Sequence, residues 1–543
     1  MPLYEIYNRF KEEDGILAGQ PRHSRREILD ELNKLKHVDV LIVGGGVHGA
    51  AFARLAALNG LKTVLLEKRD YGGGASGVPL KLLGGWPQHR RFTAFLDFKG
   101  MSARSELLHS AAHLVQPVKA EVLYPYHSLF ADLGIRFCMG LQSVWRRLCI
   151  PHQSQQPQGQ VCKARCGKGV GYNEWIINGT RLVIEQILAA RQEGALCLNH
   201  VQVVSFRMSS GVGMEVGWHD LLGGVKGVLK CGVVINCAGG WVPQIGRLSQ
   251  DKEAAGLKYF RIIYCLFDQE WPPQVLFLPV DGHRYCVVSP CQGRTFVAFV
   301  TGEIPSLQGL QSPLAEEVKE LLWILRWNLP ESGLESKNLY YVWTGHETIR
   351  VDAPTGRNLY SIGRKGWVYR NGVFSLLGGE YGTVYHTVYH GLRRVYHLSG
   401  VKDEISPLGE RKLPGIGLLA ESRAEFMQEA AKKGVPSHII QRMLGLYGSR
   451  VRLMAGFDDP WKVLGNECLK GEVEMALELE QAESLEDVMC RRLQLTYQPG
   501  CGCQAVDGVL EIMTRLRPER DLLKERAAYQ TKCGEMQRLL ACL

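Results

Sequence analysis

Three glycines and one carboxylate set the first chemical constraint. Gly44, Gly46 and Gly49 stand in a Gly-x-Gly-x-x-Gly run, and Glu67 follows Gly46 by 21 residues. Gly44 permits a tight turn, Gly46 lets backbone approach a pyrophosphate, and Gly49 lets a helix pack closely on a strand. The free N–H groups at the start of that helix can hold phosphate oxygens. Glu67 can accept the hydroxyl hydrogens of an adenosine ribose. Together these residues are the parts of a dinucleotide site.

Such a site works only if a strand, a turn, a helix and a second strand hold it in order. Val38-Asp-Val-Leu-Ile-Val43 is rich in β-branched residues and predicts a buried parallel strand running into the glycines. An Ala-rich helix follows and ends near Gly60, and Thr63-Val-Leu-Leu-Glu67 predicts the second strand. The segment spans about thirty residues, the length of a βαβ unit.

The fingerprint alone does not separate NAD from FAD, and later segments decide for FAD. Lys68 opens a Gly- and Ser-rich loop through Ser76 to Gly77, suited to tracking an extended cofactor toward a flavin. Val234-Ile-Asn-Cys-Ala-Gly-Gly-Trp-Val242 predicts a strand ending in small residues, and Ala238 and Gly239 there can approach the adenosine diphosphate. Ser375-Leu-Leu-Gly-Gly379 predicts a strand ending at Gly378 and Gly379 before a helical segment, where N–H dipoles can face the electron-rich edge of a reduced flavin.

At 543 residues, with 45% hydrophobic and 22% charged residues, the chain is a globular protein of two or three domains. Residues 1–36 read as a polar, partly helical leader with apolar positions Ile28, Leu29, Leu32 and Leu35 at helical spacing. Residues 37–410 read as the FAD-binding region interleaved with a mixed substrate sheet, whose clearest strands are Lys230–Asn236, His283–Ser289 and Arg294–Thr301. Residues 411–543 read as all-helical, with helices Glu421–Lys433, Ser437–Leu446 and Gly471–Ala482, and an N-cap at Ser484 with Asp487 three residues on. The fold class is therefore α/β: a Rossmann-like domain, a mixed-sheet cap and a helical C-terminal domain.

The net charge of +9 is dispersed in short clusters such as Arg90-Arg91 and Arg491-Arg492, which argues against nucleic acid and suits an anionic surface or substrate. No secretory signal and no spanning segment is read, so a cytoplasmic location, peripheral on the inner face of a membrane, is expected. The 16 cysteines show no metal-ligand or disulfide spacing, and Cys501-Gly-Cys503 is too tight for a zinc half-site, so no metal is expected.

Taken in order, these segments resemble the FAD-dependent glycerol-3-phosphate dehydrogenases and their oxidase relatives. Lys81-Leu-Leu-Gly-Gly85, Glu106-Leu-Leu, His113-Leu-Val-Gln-Pro117, Arg181-Leu-Val183, Asn236-Cys-Ala-Gly-Gly-Trp-Val242, Tyr447-Gly-Ser-Arg450 and Leu485–Arg492 each look like a stretch of that family. The resemblance implies bound FAD and oxidation of glycerol 3-phosphate to dihydroxyacetone phosphate, with electrons passing to a membrane quinone or to another acceptor. It also implies Lys81 beside the flavin, and Arg350 and Arg364 on the phosphate side. An oligomer is compatible with the pattern.

Departures fall on the substrate side. Gly77-Val-Pro-Leu80 stands where the family has Ser-Arg-Ser-Thr, the histidine before the paired glycines is absent, and Phe260–Tyr264 lacks a Gly-Ser-His segment. Gly378-Gly-Glu380 replaces Gly-Gly-Lys. Three readings stay open: a glycerol-3-phosphate dehydrogenase with rearranged contacts, a related enzyme for a less anionic hydroxy or amino compound, and a non-catalytic flavin-binding protein.

Overall fold

The computed structural model describes residues 25–83, 98–123, 169–208, 213–250, 256–281, 284–308, 310, 312–351, 358–359, 366–398, 404–416, 420–465 and 467–543. In chain order its strands are β1 (His37–Val43), β2 (Thr63–Leu66), β3 (Lys81–Leu82), β4 (Val115–Leu123), β5 (Gly169–Ile177), β6 (Leu196–Leu198), β7 (Val201–Met208), β8 (Met214–Asp220) and β9 (Lys226–Asn236). They continue as β10 (Leu257–Phe267), β11 (Val275–Pro279), β12 (Tyr285–Cys291), β13 (Arg294–Ile304), β14 (Leu339–Val351), β15 (Asn358–Leu359), β16 (Trp367–Arg370) and β17 (Val373–Leu376).

The first sheet runs β16-β17-β9-β1-β2-β6, with β7 and β8 attached beside β9. β1 lies parallel to both β2 and β9, pairing Val43 with Leu66 on one side and with Asn236 on the other. Its interior is a continuous apolar run because helices cover one face and the β7–β8 hairpin and a helix cover the other. The covering helices Val47–Leu58, Gly179–Gln192 and Val384–Leu398 share one core.

The helix Val47–Leu58 is Ala-rich, which favours helix and allows close packing, and it buries Phe52 and Leu55 completely. Gly60 ends the turn beyond it at φ +75, a left-handed conformation that favours glycine. The helical part of the leader, Arg25–Lys34, buries Ile28, Leu29 and Leu32 against this sheet, and Arg25 pairs with Asp220 at 2.6 Å. The end of the leader is thus built into the first domain.

The second sheet runs β15-β14-β10-β13-β12-β11-β4-β5-β3 and is antiparallel apart from the parallel β4–β11 pair. One face points toward the first sheet and the C-terminal helices, and the other is closed by the helix Ala315–Asn328. His283, the expected start of a strand, lies outside the described residues, and the described strand begins at Tyr285.

The C-terminal region contains the expected helices as Ala420–Lys432, Ser437–Tyr447 and Lys470–Glu478, followed by Val506–Leu516 and Leu522–Ala541. It is not purely helical, because Val463–Leu464 and Cys468–Leu469 form a short hairpin around Gly465 at φ +56. Two-residue strands leave no periodic pattern in a sequence. Ser484 and Asp487 form the expected reciprocal cap: Ser484 Oγ accepts the Asp487 N–H at 3.1 Å, and Asp487 Oδ2 accepts the Ser484 N–H at 3.1 Å.

Buried charge fastens this region to the first domain. Arg181 grips Glu480 with two hydrogen bonds of 2.8 and 2.9 Å, and Arg450 joins Glu480 at 2.6 Å and Glu185 at 2.9 Å. All four side chains are fully buried. Arg492 makes a second fork onto Asp70, at 2.6 and 2.9 Å. Several family-like stretches, far apart in sequence, meet in these two clusters.

Candidate cofactor and substrate site

The parallel strands β1, β2 and β9 all end on one edge, and their loops line a cavity of about 350 Å³. Gly44 sits at φ +106, and a Cβ there would lie 2.7 Å from the Cys237 carbonyl oxygen, so this turn admits no side chain. A Cβ at Gly49 would lie 1.9 Å from the Gly44 oxygen, which makes the helix–strand contact dependent on glycine. Gly46 differs, because its Cβ would meet only Ser76 Oγ, at 3.2 Å. Its absent side chain leaves the cavity open.

Gly46 caps the helix Val47–Leu58 in an extended conformation without a side-chain cap, and Ser76 Oγ accepts the Val47 N–H at 3.1 Å. Unpaired N–H groups at a helix start, facing a cavity, suit phosphate. Glu67 Oε2 accepts the Gly45 N–H at 2.6 Å and Oε1 accepts the Arg69 N–H at 2.8 Å. Each oxygen keeps a second lone pair for a ribose hydroxyl, while burial pushes the carboxyl above its ordinary range. Lys68, Ala238 and Gly239 line the same cavity, with Arg69 stacked 5.3 Å from the Trp241 ring centroid.

The cavity continues through Val47, His48, Ala75, Ser76, Gly239 and His346 into a second chamber of about 250 Å³. Lys81, Gly378, Gly379 and Glu380 lie in this chamber, under the face of the second sheet formed by β10, β12, β13 and β14. Tyr381 holds its floor together by donating to the Ser76 carbonyl at 2.8 Å and the Gly179 carbonyl at 3.2 Å. Lys81 Nζ sits 5.9 Å from the Tyr381 ring centroid, and burial lowers its pKa against the opposing pull of Glu347. Tyr285 donates to Glu347 at 3.0 Å.

The spacing rules do not single out His48, His346 or Thr348. His48 occupies an unrestricted position of the glycine motif, and its Nε2 is buried without a hydrogen-bond partner. His346 Nε2 and Thr348 Oγ1 are buried and unpartnered as well. Burial lowers both histidines to about 4, opposed by Glu380 at His48 and assisted by Lys81 and Arg69 at His346. Both imidazoles are therefore neutral near pH 7. A run of orphaned polar atoms along an elongated cavity is what a polar, extended cofactor would satisfy.

Arg350 lies two residues beyond Thr348 on β14, opposite Leu257 and Leu359, and is not among the residues lining either cavity. Arg364 lies outside the described residues. Asp70, His200 and Asp487 come close enough to suggest a metal cage. Arg492 lies 2.6 Å from Asp70, and Arg491 lies 3.6 Å from Asp70 and 3.9 Å from Asp487, so these acids already face cationic partners.

The chain is similar to known proteins. Residues 39–392 match the FAD dependent oxidoreductase family, and 408–517 match the C-terminal domain of alpha-glycerophosphate oxidase. The glycerol-3-phosphate dehydrogenase of Synechocystis sp. is 25% identical over 514 residues, covering 88% of this chain and 92% of that protein. The aerobic glycerol-3-phosphate dehydrogenase of Bacillus subtilis is 24% identical over 492 residues, covering 86% and 87%. A solved glycerol-3-phosphate dehydrogenase from Bacillus halodurans, complexed with FAD, shares the fold at a TM-score of 0.71 and 20% identity, covering 96% of this chain and 98% of that one. The chain belongs to the FAD dependent oxidoreductase family and takes FAD as its cofactor.

Proposed function

We propose that the protein oxidises the carbinol carbon of a small hydroxy metabolite, with glycerol 3-phosphate to dihydroxyacetone phosphate as the leading reaction. The observation that carries this reading is the chamber continuous with the cofactor cavity, lined by Lys81, His48 and His346. Bound FAD supplies a two-electron acceptor for the hydride that leaves carbon. The hydroxyl proton then needs a base, and the neutral imidazoles and the pKa-lowered Lys81 put basic nitrogens in the chamber. Arg350 and Arg364 are proposed on the phosphate side, as the family resemblance implies.

One observation favours a second reading, a less anionic hydroxy or amino compound. The chamber places Glu347 and Glu380 beside Lys81, so its described charged residues sum to a negative balance. Ile262, Phe277, Val287 and Phe296 make much of the rest apolar.

Electrons are proposed to pass to a quinone or another acceptor, with peripheral, salt-sensitive attachment to a membrane. The basic charge supports attachment, and among the described residues no helix is long and apolar enough to cross a bilayer. Anaerobic mixing of the flavin-loaded protein with polyols, hydroxy acids, amines and their phosphates tests the function. Flavin bleaching by one class identifies the substrate, and no bleaching by any of them overturns an enzymatic role.

A further inference from the structure

A third cavity, of about 380 Å³, lies on the opposite side of the Gly-rich loop, between β14 and the C-terminal helices. Among the described residues it shares Arg69, Gly73, Gly74, Ala75 and His346 with the cofactor cavity, and Ala75, Tyr264 and His346 with the substrate chamber. The size suits a small organic ligand.

One wall is aromatic. The Trp343 ring lies 5.1 Å from Tyr264 and 5.1 Å from Tyr497, centroid to centroid, so flat surfaces converge there. The lining is also basic. Arg69, Arg491 and Lys532 contribute to it, against Glu486 and Glu535. Lys532 is committed to Glu486 at 2.9 Å.

Arg491 carries the surplus charge. Its nearest carboxylates are Asp70 at 3.6 Å and Asp487 at 3.9 Å, and each is held closer by another side chain, Asp70 by Arg492 at 2.6 Å and Asp487 by His200 at 2.8 Å. Arg491 Nη1 is buried and has no hydrogen-bond partner. A buried guanidinium nitrogen without an acceptor is costly, and a carboxylate is the acceptor that fits its planar fork.

We propose that this cleft, which adjoins the cofactor and substrate chambers, is a second binding site for a planar organic carboxylate. The carboxylate would meet Arg491, and its ring would lie against Trp343 and Tyr497. Such a ligand would bridge the C-terminal helices and the loop that flanks the cofactor.

Isothermal titration of the flavin-loaded protein with benzoate tests this, with cyclohexanecarboxylate and inorganic phosphate as comparators. Benzoate is expected to bind more tightly than either. Arg491→Gln should weaken benzoate about tenfold or more, the scale of a lost charge-assisted hydrogen bond, while Lys81→Met should leave it unchanged. If Arg491→Gln loses its flavin, Trp343→Leu is read instead and should weaken benzoate but not phosphate. Absence of benzoate binding, unaltered binding in the cleft variant, or loss of binding in Lys81→Met would each overturn the proposal.

Discussion

The Gly45 amide donates to Glu67 Oε2 at 2.6 Å, so the carboxylate just after β2 is fastened to the glycine turn that follows β1. One side chain thereby shapes the glycine turn, and the same carboxylate is proposed to meet the ribose. Glu67→Ala removes both contributions. A lost charge-assisted hydrogen bond costs about 2 kcal/mol, roughly thirtyfold in affinity. Titrating apoprotein with FAD by fluorescence measures this, and unchanged affinity would remove Glu67 from the site.

Gly46 and Gly49 should fail in different ways. Gly46→Val fills open cavity next to Ser76, so the protein should fold with near-normal thermal stability and purify without yellow colour. Gly49→Ala forces a Cβ to within 1.9 Å of backbone oxygen, so it should lower stability before any question of flavin arises. Absorbance at the flavin band beside a melting curve separates the two. A yellow Gly46→Val protein would contradict the assigned pyrophosphate approach.

What could be read from sequence followed local patterns. β1, β2, the intervening helix and Glu67 lie within one contiguous stretch where strand period, glycine spacing and helix composition agree. The cap at Ser484 is equally local. The chamber was not readable because its walls come from β10, β12, β13 and β14 in an antiparallel register that includes a bulge between Arg261 and Ile262. His346 reaches the cofactor cleft only because β14 crosses under Trp241, whose ring lies 5.1 Å away, edge on. Arg350 follows His346 and Thr348 at strand spacing, yet it falls where β14 pairs with β15, beyond the residues lining the chamber.

Glu480 should be among the most destabilising positions to alter. Glu480→Gln leaves Arg181 and Arg450 buried with weakened countercharge, a change worth about 3–5 kcal/mol when a buried pair is broken. Although burial opposes it, the pair of arginines holds the Glu480 carboxyl at about 2. Its contribution is therefore present above the unfolded value near 4.5 and is lost as pH falls toward 2. Urea unfolding of wild type and variant at neutral and acid pH should converge at low pH.

His113 gives a second acid effect in a different window. Its ring is packed against Gly415 and Gly448, and burial lowers its pKa to about 4, with Glu185 opposing and Arg181 and Arg450 assisting. Below pH 6.5 the unfolded chain binds a proton that the folded chain refuses, so stability falls between pH 6.5 and about 4. The loss approaches about 3 kcal/mol across that window. His113→Phe should flatten the pH dependence by about one proton there. An unchanged slope would mean that His113 is protonated in the folded protein.

Glu380 should weaken the binding of glycerol 3-phosphate, because it stands in the chamber where the family resemblance places an ammonium group. Two like charges about 4 Å apart repel by about 4 kcal/mol at an effective dielectric near 20. Glu380 is only partly buried, so solvent screening reduces this, and a tenfold to hundredfold loss of affinity is expected. Val78 adds no compensating cation at the position where the family has arginine. Lys81 is the counterforce in the chamber, but Glu347 also acts on it. Stopped-flow reduction of the flavin weighs these terms: rapid bleaching at micromolar glycerol 3-phosphate would show that the phosphate is held away from Glu380. If repulsion is the obstacle, Glu380→Lys should lower the half-saturating concentration about tenfold or more and leave the reduction of an uncharged polyol unchanged.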